Sequence, residues 1–302
     1  MKLGATFLIL VFISQTQAVE WNYTLLGADW PLLVEICDGD RQSPINIQRE
    51  KTIKYEGSDF VDFSTTYCGT INGILKNNGH TLKFETEDGL PSRTSYITGG
   101  PLGTSKYYFL QFHLHWGSQS TRGSEHIIDG ERSSAELHLV HVKEDYINCD
   151  DWTVLPGAFE AGDGLSVLGI FLRDGGSYDD IAFQPTVGSG TPGGSSQSYQ
   201  KKAITTDWFD FIPNAAYHLN EYNISQIECP VNLNQIVKRL NPTFDDEFNY
   251  WHYEGSLTTP NCNEAVQWIV AERPLIITTE QVLRTNLNFR AKSSLFVDDP
   301  IV

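Results

Sequence analysis

Segments rich in β-branched, aromatic and leucine residues recur along the chain, separated by clusters of Gly, Pro, Asp and Asn. Apolar runs bounded by such breakers predict β-strands. The segments with this pattern are Thr81–Thr86, Lys106–Trp116, Ala135–Lys143, Leu165–Arg173, Ala265–Ala271 and Leu275–Ile277. The pattern indicates a mostly β fold of the α+β class, with short helices at its edge.

Helical patterns are few. Thr278–Arg284 begins like a helix with a capping box, in which Thr278 is followed three residues later by Gln281. Val231–Leu240 places its apolar residues on one helical stripe, which predicts a packed face. The Gly- and Ser-rich segment Val187–Ser198 is typical of a loop, and we expect it to lie within one domain rather than between two.

Two histidines alternate in the strand-like run Gln111–Ser118, QFHLHWGS. Side chains of a strand alternate between its faces, so His113 and His115 share one face while Phe112 and Leu114 share the other. Two imidazoles on one face either hydrogen-bond within the core or share a metal ion. An isolated pair at this spacing favours the core interpretation, so the rest of the chain has to decide.

A second strand-like run, Ala135–His141, supplies another histidine and an acid. Glu136 and His138 share one face of that strand, and His141 points to the other. If the two strands are neighbours, His138 completes a cluster of three imidazoles, which with an open fourth position is the arrangement of a catalytic zinc. Gln111 and Glu136 each precede a candidate ligand by two residues, where they could fix its second nitrogen. We expect His141 to be a buried, hydrogen-bonded histidine.

The chain is strongly acidic, since 38 Asp and Glu against 21 Lys and Arg give a formal charge of −17. This charge argues against nucleic acid and anionic membranes as partners. The acidic residues are scattered rather than gathered in a tail, which favours solubility as their role. Weak association with Ca²⁺ through the acidic surface is the alternative.

Residues 1–18 have the pattern of a secretory signal peptide. Lys2 stands near its start, an apolar run follows at Phe7–Ile13, and Thr16–Ala18 provides the small residues before a cleavage site. No later run is long enough to span a membrane. We therefore expect a secreted, extracellular protein without a membrane anchor, with residues 19–302 as one domain.

Two further features agree with export. The sequons at Asn22 and Asn223 predict N-glycosylation sites. Five cysteines would meet an oxidising compartment, so at least one disulfide is expected and the odd count leaves one thiol over.

In its motifs and their order, the chain resembles the α-class carbonic anhydrases, specifically the secreted ones. The resemblance extends from Trp21 to about Phe289. It is carried by Trp21–Tyr23, Gln42–Ile47, Asn77–His80, Gln111–Ser118, Ser124–His126, Ala135–His141, Ser166–Phe171, Glu254–Pro260 and Gln267–Val270. It implies a single domain built on a large central, mainly antiparallel, twisted β-sheet with short peripheral helices. Relative to that family, the chain has an insertion at about 207–250 and a shortened C-terminal end.

The resemblance implies a Zn²⁺ ion held by His113, His115 and His138, with Gln111 and Glu136 hydrogen-bonded to these ligands. The implied activity is the reversible hydration of CO₂ to bicarbonate and a proton by attack of zinc-bound hydroxide. Sulfonamide inhibitors are expected to bind at the same place.

Further residues match the family pattern. Thr258 corresponds to the threonine that orients the hydroxide, Glu125 to the carboxylate that receives the threonine's proton, and Thr259 to a bicarbonate contact. The apolar wall that holds CO₂ corresponds to Val140, Val167, Leu257, Val266 and Trp268. By position alone these five would be ordinary core residues.

The resemblance implies a proton shuttle at His80, and imidazole titrates near neutral pH as that role requires. The alternative for His80 is an ordinary loop histidine beside a turn. Tyr23 and Asn78 match side chains of the solvent network between zinc and shuttle. Lys83 departs from the family, whose members often carry a smaller polar residue on that side.

The cysteines also follow the pattern of secreted family members. Cys37 and Cys262 match the disulfide of the extracellular members, which would hold the loop of the hydroxide-orienting threonine. Cys68, Cys149 and Cys229 have no such match, and a Cys149–Cys229 pair is the further expectation.

Two classes of function stay open on the sequence. The first is a secreted zinc enzyme that interconverts CO₂ and bicarbonate, with an added role in extracellular carbonate supply or biomineralisation suggested by charge and export. The second is a non-catalytic, acidic extracellular protein that keeps the fold for binding. The complete histidine set favours the enzyme, because inactive relatives typically lose one or more of the three ligands.

Overall fold

The structure, a computed structural model, describes residues 21, 22, 25, 27–54, 64–78, 80–117, 119–176, 209, 210, 212, 219, 226–240 and 249–282. Several predictions concern residues outside these ranges: the signal peptide at 1–18, the loop at 187–198, Tyr23, Asn223 and the C-terminal end. Within the described ranges, no helix has the length and apolar character needed to cross a membrane.

Thirteen strands are described, and eleven of them form one large sheet. The strands are β1 (Asn46–Ile47), β2 (Ser64–Thr66), β3 (Gly73–Asn77), β4 (Leu82–Thr86), β5 (Tyr96–Thr98), β6 (Tyr107–Trp116), β7 (Ile127–Ile128), β8 (Ala135–Lys143), β9 (Leu165–Asp174), β10 (Gln226–Glu228), β11 (Tyr250–Gly255), β12 (Val266–Ala271) and β13 (Leu275–Ile277). The large sheet has the order β10-β3-β4-β6-β8-β9-β12-β11, with β13 also paired to β9, β5 to β6 and β2 to β5. β1 and β7 pair separately in parallel.

The large sheet is mainly antiparallel, as predicted. Among its described pairs, only those that β12 and β13 form with β9 are parallel. Every predicted strand segment is present, with bounds that differ by at most one residue at either end. The predicted fold class is therefore confirmed.

The sheet separates two hydrophobic clusters. The larger cluster includes Phe84 and Phe112, and the smaller one includes Val140, Val167 and Trp268. β8 and β9 run through the middle of the sheet and are buried on both faces over almost their whole length. A polar side chain on either strand must therefore find its partner inside the protein.

A β-bulge in β6 sets the phase of its polar positions. The register of β6 against β8 shifts between Phe109 and Gln111. Before the shift Tyr107 and Phe109 belong to the larger cluster, and after it Phe112 and Leu114 do. The bulge therefore turns Gln111 and the two histidines that follow it to the face opposite the larger cluster.

The helices that are complete within the described ranges are short. α1 spans Trp30–Leu33 and α2 spans Leu233–Val237, and 3₁₀ turns lie at Glu35–Asp38, Arg49–Lys51, Gly100–Leu102, Glu144–Tyr146 and Pro156–Phe159. The predicted capping box is present. The Thr278 N–H donates to Gln281 Oε1 at 2.8 Å, and the Gln281 N–H donates to Thr278 Oγ1 at 3.1 Å.

The region predicted as an insertion contributes to the core. Its strand β10 extends the sheet beside β3. Its helix α2 buries Leu233, Ile236 and Val237 in the larger cluster, on the sheet face that carries Phe84 and Phe112. The packed stripe predicted for Val231–Leu240 is confirmed.

His141 is a buried histidine whose two ring nitrogens both have partners. The Ser166 carbonyl oxygen lies 3.3 Å from Nδ1, and the Tyr67 hydroxyl lies 2.8 Å from Nε2. Because a carbonyl oxygen can only accept, Nδ1 carries the proton and Tyr67 donates to Nε2. Burial lowers the pKa of His141 to about 3, so the ring is neutral in the folded protein.

His141 should make stability depend on pH. Between pH 6.5 and about 3, the unfolded chain binds a proton at this residue and the folded protein does not, so the free energy of unfolding falls as the pH falls. His141→Gln should remove this contribution, about 1.4 kcal/mol per pH unit. Tyr67→Phe, which leaves the imidazole buried, should keep it. Urea unfolding across this range is the measurement, and identical slopes for wild type and His141→Gln would contradict the assignment.

Candidate active site

Three histidines converge on one face of the sheet. β6 and β8 are neighbours, and their register places His113 directly opposite His138. One ring nitrogen each of His113, His115 and His138 lies within 4.8 Å of the other two. His113 Nε2 and His138 Nδ1 are 3.3 Å apart. The strand adjacency on which the predicted cluster depends is therefore present.

The remaining nitrogens of two of these rings face hydrogen-bond acceptors. Gln111 Oε1 lies 3.0 Å from His113 Nδ1, and Glu136 Oε1 lies 2.8 Å from His138 Nε2. The Gln111 amide oxygen and the Glu136 carboxylate can only accept hydrogen bonds. His113 Nδ1 and His138 Nε2 therefore carry the protons and donate. Their lone pairs stay on the nitrogens that face each other.

His115 is the third member. Its Nδ1 lies 3.2 Å from Glu125 Oε1. Its Nε2 is buried and has no hydrogen-bond partner among the residues that the structure describes. A buried nitrogen without a partner is costly unless something binds it, so this atom points to a bound cation.

The donor set fits zinc. Three neutral imidazoles that leave a fourth position open form the arrangement of catalytic zinc sites. Tetrahedral ligands at Zn–N distances of about 2.0–2.1 Å have nitrogens about 3.3–3.4 Å apart, which matches the separation of the His113 and His138 nitrogens. Burial, which disfavours the charged ring, lowers the pKa of His113, His115 and His138, so their lone pairs are available at neutral pH.

Glu136 is a fully buried carboxylate behind the histidines. Oε1 accepts from His138 and, at 2.6 Å, from His126 Nδ1; Oε2 accepts the N–H groups of Glu125 at 3.0 Å and His126 at 2.8 Å. Burial on its own would raise the pKa of Glu136, but the two imidazoles hold it well below its usual range. Gly169 leaves room for this group, since a Cβ there would lie 3.3 Å from Oε1.

The hydrogen bonds continue from His126 to a distant loop. His126 Nε2 lies 2.6 Å from the Tyr253 hydroxyl, which lies 2.9 Å from Ser43 Oγ. The Ser43 N–H donates to Ser256 Oγ at 2.9 Å, and the Ser256 N–H donates to Ser43 Oγ at 3.0 Å. An uninterrupted series of contacts thus joins a candidate metal ligand to the loop that carries Thr258.

Sequence reasoning missed His126, Tyr253 and Ser43 as residues of the site. His126 stands in the Ser124–His126 motif, which was the only signal for it. Tyr253 and Ser43 are 210 residues apart, so no local pattern could pair them.

The Thr258 loop is held at both ends. The predicted disulfide between Cys37 and Cys262 is present, with the two Cα atoms 5.0 Å apart. At the other end, Trp268 Nε1 donates to the Ser256 carbonyl at 3.0 Å. These contacts restrict where the threonine side chain can lie.

The expected Cys149–Cys229 disulfide is wrong. Cys68, Cys149 and Cys229 are all free thiols. Cys149 follows β8, whereas Cys229 follows β10, which is four positions away in the sheet. Adjacent strands are about 4.8 Å apart, so this spacing exceeds the Cα separation of about 4.4–6.8 Å that a disulfide allows.

Glu125 lies between the histidines and Thr258. Its Oε1 is 3.2 Å from His115 Nδ1, its Oε2 is 3.8 Å from His138 Nδ1, and Thr258 lies close enough to its carboxyl group to favour the ionised form. Burial and the nearby charge of Glu136 raise the pKa of Glu125 well above its usual range. The structure brings Glu125 and Thr258 together, as the resemblance implies. It also shows a contact between Glu125 and His115 that the resemblance does not imply.

The five residues of the predicted CO₂ wall lie in the smaller hydrophobic cluster or pack against it. Val140, Val167 and Trp268 are neighbours across β8, β9 and β12. The Trp268 ring centroid lies 4.8 Å from that of the candidate ligand His138. Val266 is buried in the same cluster, and Leu257 packs against it from the loop.

His80 lies in the turn between β3 and β4. Its ring stacks on Trp21 with centroids 4.0 Å apart, and partial burial lowers its pKa. Asn78 Oδ1 accepts the N–H groups of His80 at 3.0 Å and Thr81 at 2.8 Å. The Asn78 oxygen thus holds this turn, and the solvent-network role of Asn78 stays a prediction. Tyr23, its expected partner in that network, lies outside the described residues.

Lys83 brings a positive charge to the face of the candidate ligands. It pairs directly opposite His113 in the β4–β6 register. Its ammonium lies 2.6 Å from Glu85 Oε1, and Lys76 lies 2.6 Å from the other oxygen of that carboxylate. This departure from the family pattern therefore belongs to a small charge cluster with a net positive charge.

The sequence profile of the eukaryotic-type carbonic anhydrases matches residues 27–295. The chain belongs to this family. Carbonic anhydrase 3 of Equus caballus is 32% identical over 269 residues, which is 88% of this chain and 86% of that protein. Carbonic anhydrase 7 of Homo sapiens is 31% identical over 270 residues, 87% of this chain and 83% of that protein. The family is one of carbonate dehydratases, which are lyases, so the predicted enzyme class is confirmed.

Substitutions of the two histidines of β8 should have different effects, one on metal binding and the other on stability. His138→Ala removes a candidate ligand and should abolish stoichiometric zinc binding. His141→Ala, on the opposite face, should keep zinc but lower the free energy of unfolding by about 2–4 kcal/mol, because it leaves a cavity and unpaired polar groups. Metal analysis after gel filtration and urea unfolding are the measurements. Loss of zinc from His141→Ala, with zinc retained by His138→Ala, would show that the strand phase is wrong.

Proposed function

We propose that the protein is a secreted zinc enzyme that catalyses the reversible hydration of CO₂ to bicarbonate and a proton. The observation that carries this proposal is the set of three converging imidazole nitrogens, one of which has no partner in the described part of the chain. Zinc bound there would supply a Lewis acid that lowers the pKa of water. The proposal is supported by the family relationship, in which zinc dependence is general.

Thr258 and Glu125 would orient the nucleophile. The Thr258 hydroxyl carries one proton, which it can donate to a carboxyl oxygen of Glu125, since that group accepts a hydrogen bond whether or not it is ionised. Its oxygen is then left to accept a hydrogen bond from the attacking hydroxide, which keeps a hydroxide lone pair directed at carbon. Thr259, the next residue in the loop, is the proposed bicarbonate contact.

The apolar wall would hold CO₂ close to this nucleophile. CO₂ has no net charge and gains little from polar contacts, so buried Val140, Val167 and Trp268 offer a suitable surface. Sulfonamide inhibition, which is typical of the family, should compete at the same place.

His80 would carry the proton away. It lies in the turn between β3 and β4, and its lowered pKa keeps the ring unprotonated at neutral pH and able to accept. Stacking on Trp21 gives the ring one defined position. Asn78, which holds the backbone of this turn, would act as its positioning residue.

Export is the proposed location. It is supported by the signal-peptide pattern of residues 1–18 and by the Cys37–Cys262 disulfide, because disulfides persist in oxidising compartments. Asn22, one of the two proposed glycosylation sites with Asn223, is exposed.

The acidic surface supports an added role in carbonate supply or biomineralisation, through weak Ca²⁺ association. Among the described residues, the clusters able to hold a metal are those of the active site, so calcium would bind diffusely through charge. Calcium binding no tighter than that of an unrelated protein of equal charge would remove this support.

Stopped-flow CO₂ hydration by the zinc-loaded mature chain tests the enzymatic function. We expect rapid hydration that a sulfonamide abolishes. Thr258→Ala should lower kcat/KM by about 100-fold with zinc content unchanged, because the hydroxide loses its orientation. Thr94→Ala, at an exposed threonine, is the matched control and should retain full activity. A zinc-loaded chain without hydration activity would favour the alternative of a binding protein.

His80→Ala should slow turnover in weak buffer. The expected loss is about 100-fold, the lower end of a general acid–base contribution, and added imidazole should partly restore the rate. His252→Ala, at an exposed histidine of β11, should change neither quantity. Unchanged turnover of His80→Ala would mean that another group carries the proton.

A further inference from the structure

A polar pocket of about 350 Å³ lies where β8 begins and β9 ends. Two guanidinium groups, those of Arg132 and Arg173, line it. Five residues with hydroxyl groups also line it: Ser120, Thr121, Ser133, Ser134 and Thr279. In a chain with a formal charge of −17, a pocket that gathers two cations and five hydroxyls is unusual.

Arg132 is a half-buried cation. Its Nη1 donates to the carbonyl oxygens of Ser124 and Glu125, the latter at 3.2 Å. Among the described residues, neither Arg132 nor Arg173 forms an ion pair with a carboxylate. Burial lowers the pKa of Arg132 even though Glu125 and Glu136 oppose that effect from a distance. A partly desolvated guanidinium held by carbonyls alone would be stabilised by an anion.

The single carboxylate that lines the pocket, that of Asp174, is bonded to two other lining residues and uses the hydroxyl proton of one of them, Thr279. Asp174 Oδ1 accepts the Gly176 N–H at 2.9 Å and the Thr279 hydroxyl at 2.7 Å. The Asp174 N–H donates to Ser134 Oγ at 2.9 Å, so the Ser134 hydroxyl proton remains available for another acceptor. The pocket therefore offers hydrogen-bond donors and positive charge together.

We propose that this pocket binds a doubly charged tetrahedral oxyanion, such as inorganic phosphate or sulfate, between Arg132 and Arg173. Guanidinium groups present paired N–H donors that match the oxygens of such an anion, and hydroxyls add single donors around it. Since Arg132 also donates to the Glu125 carbonyl, the anion would offset the charge of a side chain that holds the Glu125 backbone in place. The pocket is assembled from residues other than the proposed zinc ligands, so it does not depend on the proposed enzymatic function.

Crystals of the zinc-loaded protein grown without phosphate or sulfate and soaked in selenate would locate the anion by its anomalous signal. We expect a peak between the Arg132 and Arg173 guanidinium groups. Absence of a peak there would overturn the proposal. Location by scattering separates this pocket from any anion bound at the metal.

Calorimetric titration with inorganic phosphate would test binding in solution. Arg173→Gln should weaken this binding by about tenfold, the loss of one charged hydrogen bond. Arg173 is exposed, so the variant should fold, which thermal unfolding would verify. Arg93→Gln is the matched control, because Arg93 packs over Trp152 in the connection at the other end of β8 and β9, and it should bind phosphate like wild type. Equal binding by Arg173→Gln and wild type, or a selenate peak without binding in solution, would mean an adventitious ion only and would overturn the proposal.

Discussion

A buried carboxylate, Glu136, is the group on which the rest of the site depends. A charge with no exposed surface costs many kcal/mol unless hydrogen bonds and opposite polarity surround it. Here four N–H groups, from His138, His126 and the backbone of the 125–126 segment, surround both oxygens. The same bonds fix which nitrogen of His138 is left for a metal. The hydrogen bond between His138 and Glu136 therefore both stabilises the buried charge and sets the tautomer of a candidate ligand. Gly169 on the neighbouring strand leaves space for the carboxylate.

The two faces of β8 show how similar residues acquire different chemistry. His138 and His141 both lie on a strand buried on both sides. His141 has a partner at each ring nitrogen, so its bonds are complete within the protein. His138 uses one nitrogen for Glu136 and turns the other toward two further imidazoles. The pleat decides the face, and the presence or absence of a second partner decides whether the residue is structural or can bind a metal.

The sequence predicted best what local pattern determines. β6, β8, β9 and β12 are apolar enough to identify, whereas β3 ends in Lys and Asn and only Gly255 of β11 is buried, which weakens the signal of these two strands. Strand parity grouped the candidate ligand histidines on the condition that their two strands are neighbours, which the sheet order meets. The resemblance was needed for Thr258 and Glu125, which meet through the fold. Nothing local could pair Tyr253 with Ser43 or exclude a Cys149–Cys229 bond, because both depend on which strands are neighbours across the sheet.

The position of Glu125 is set through its backbone more than through its side chain. Its N–H donates to Glu136 on the inner side, and its carbonyl accepts from Arg132 on the outer side. The negative Glu136 thus binds the N–H of Glu125, and the positive Arg132 binds its carbonyl oxygen. The side chain is then directed at Thr258 and His115 without a strong bond of its own to a charged partner. The Thr258 loop is joined to Glu136 by hydrogen bonds that pass through Ser43, Tyr253 and His126. Both members of the proposed hydroxide-orienting pair are therefore connected to the same buried carboxylate. The relative position of Thr258 and Glu125 therefore depends on the hydrogen bonds that this carboxylate accepts.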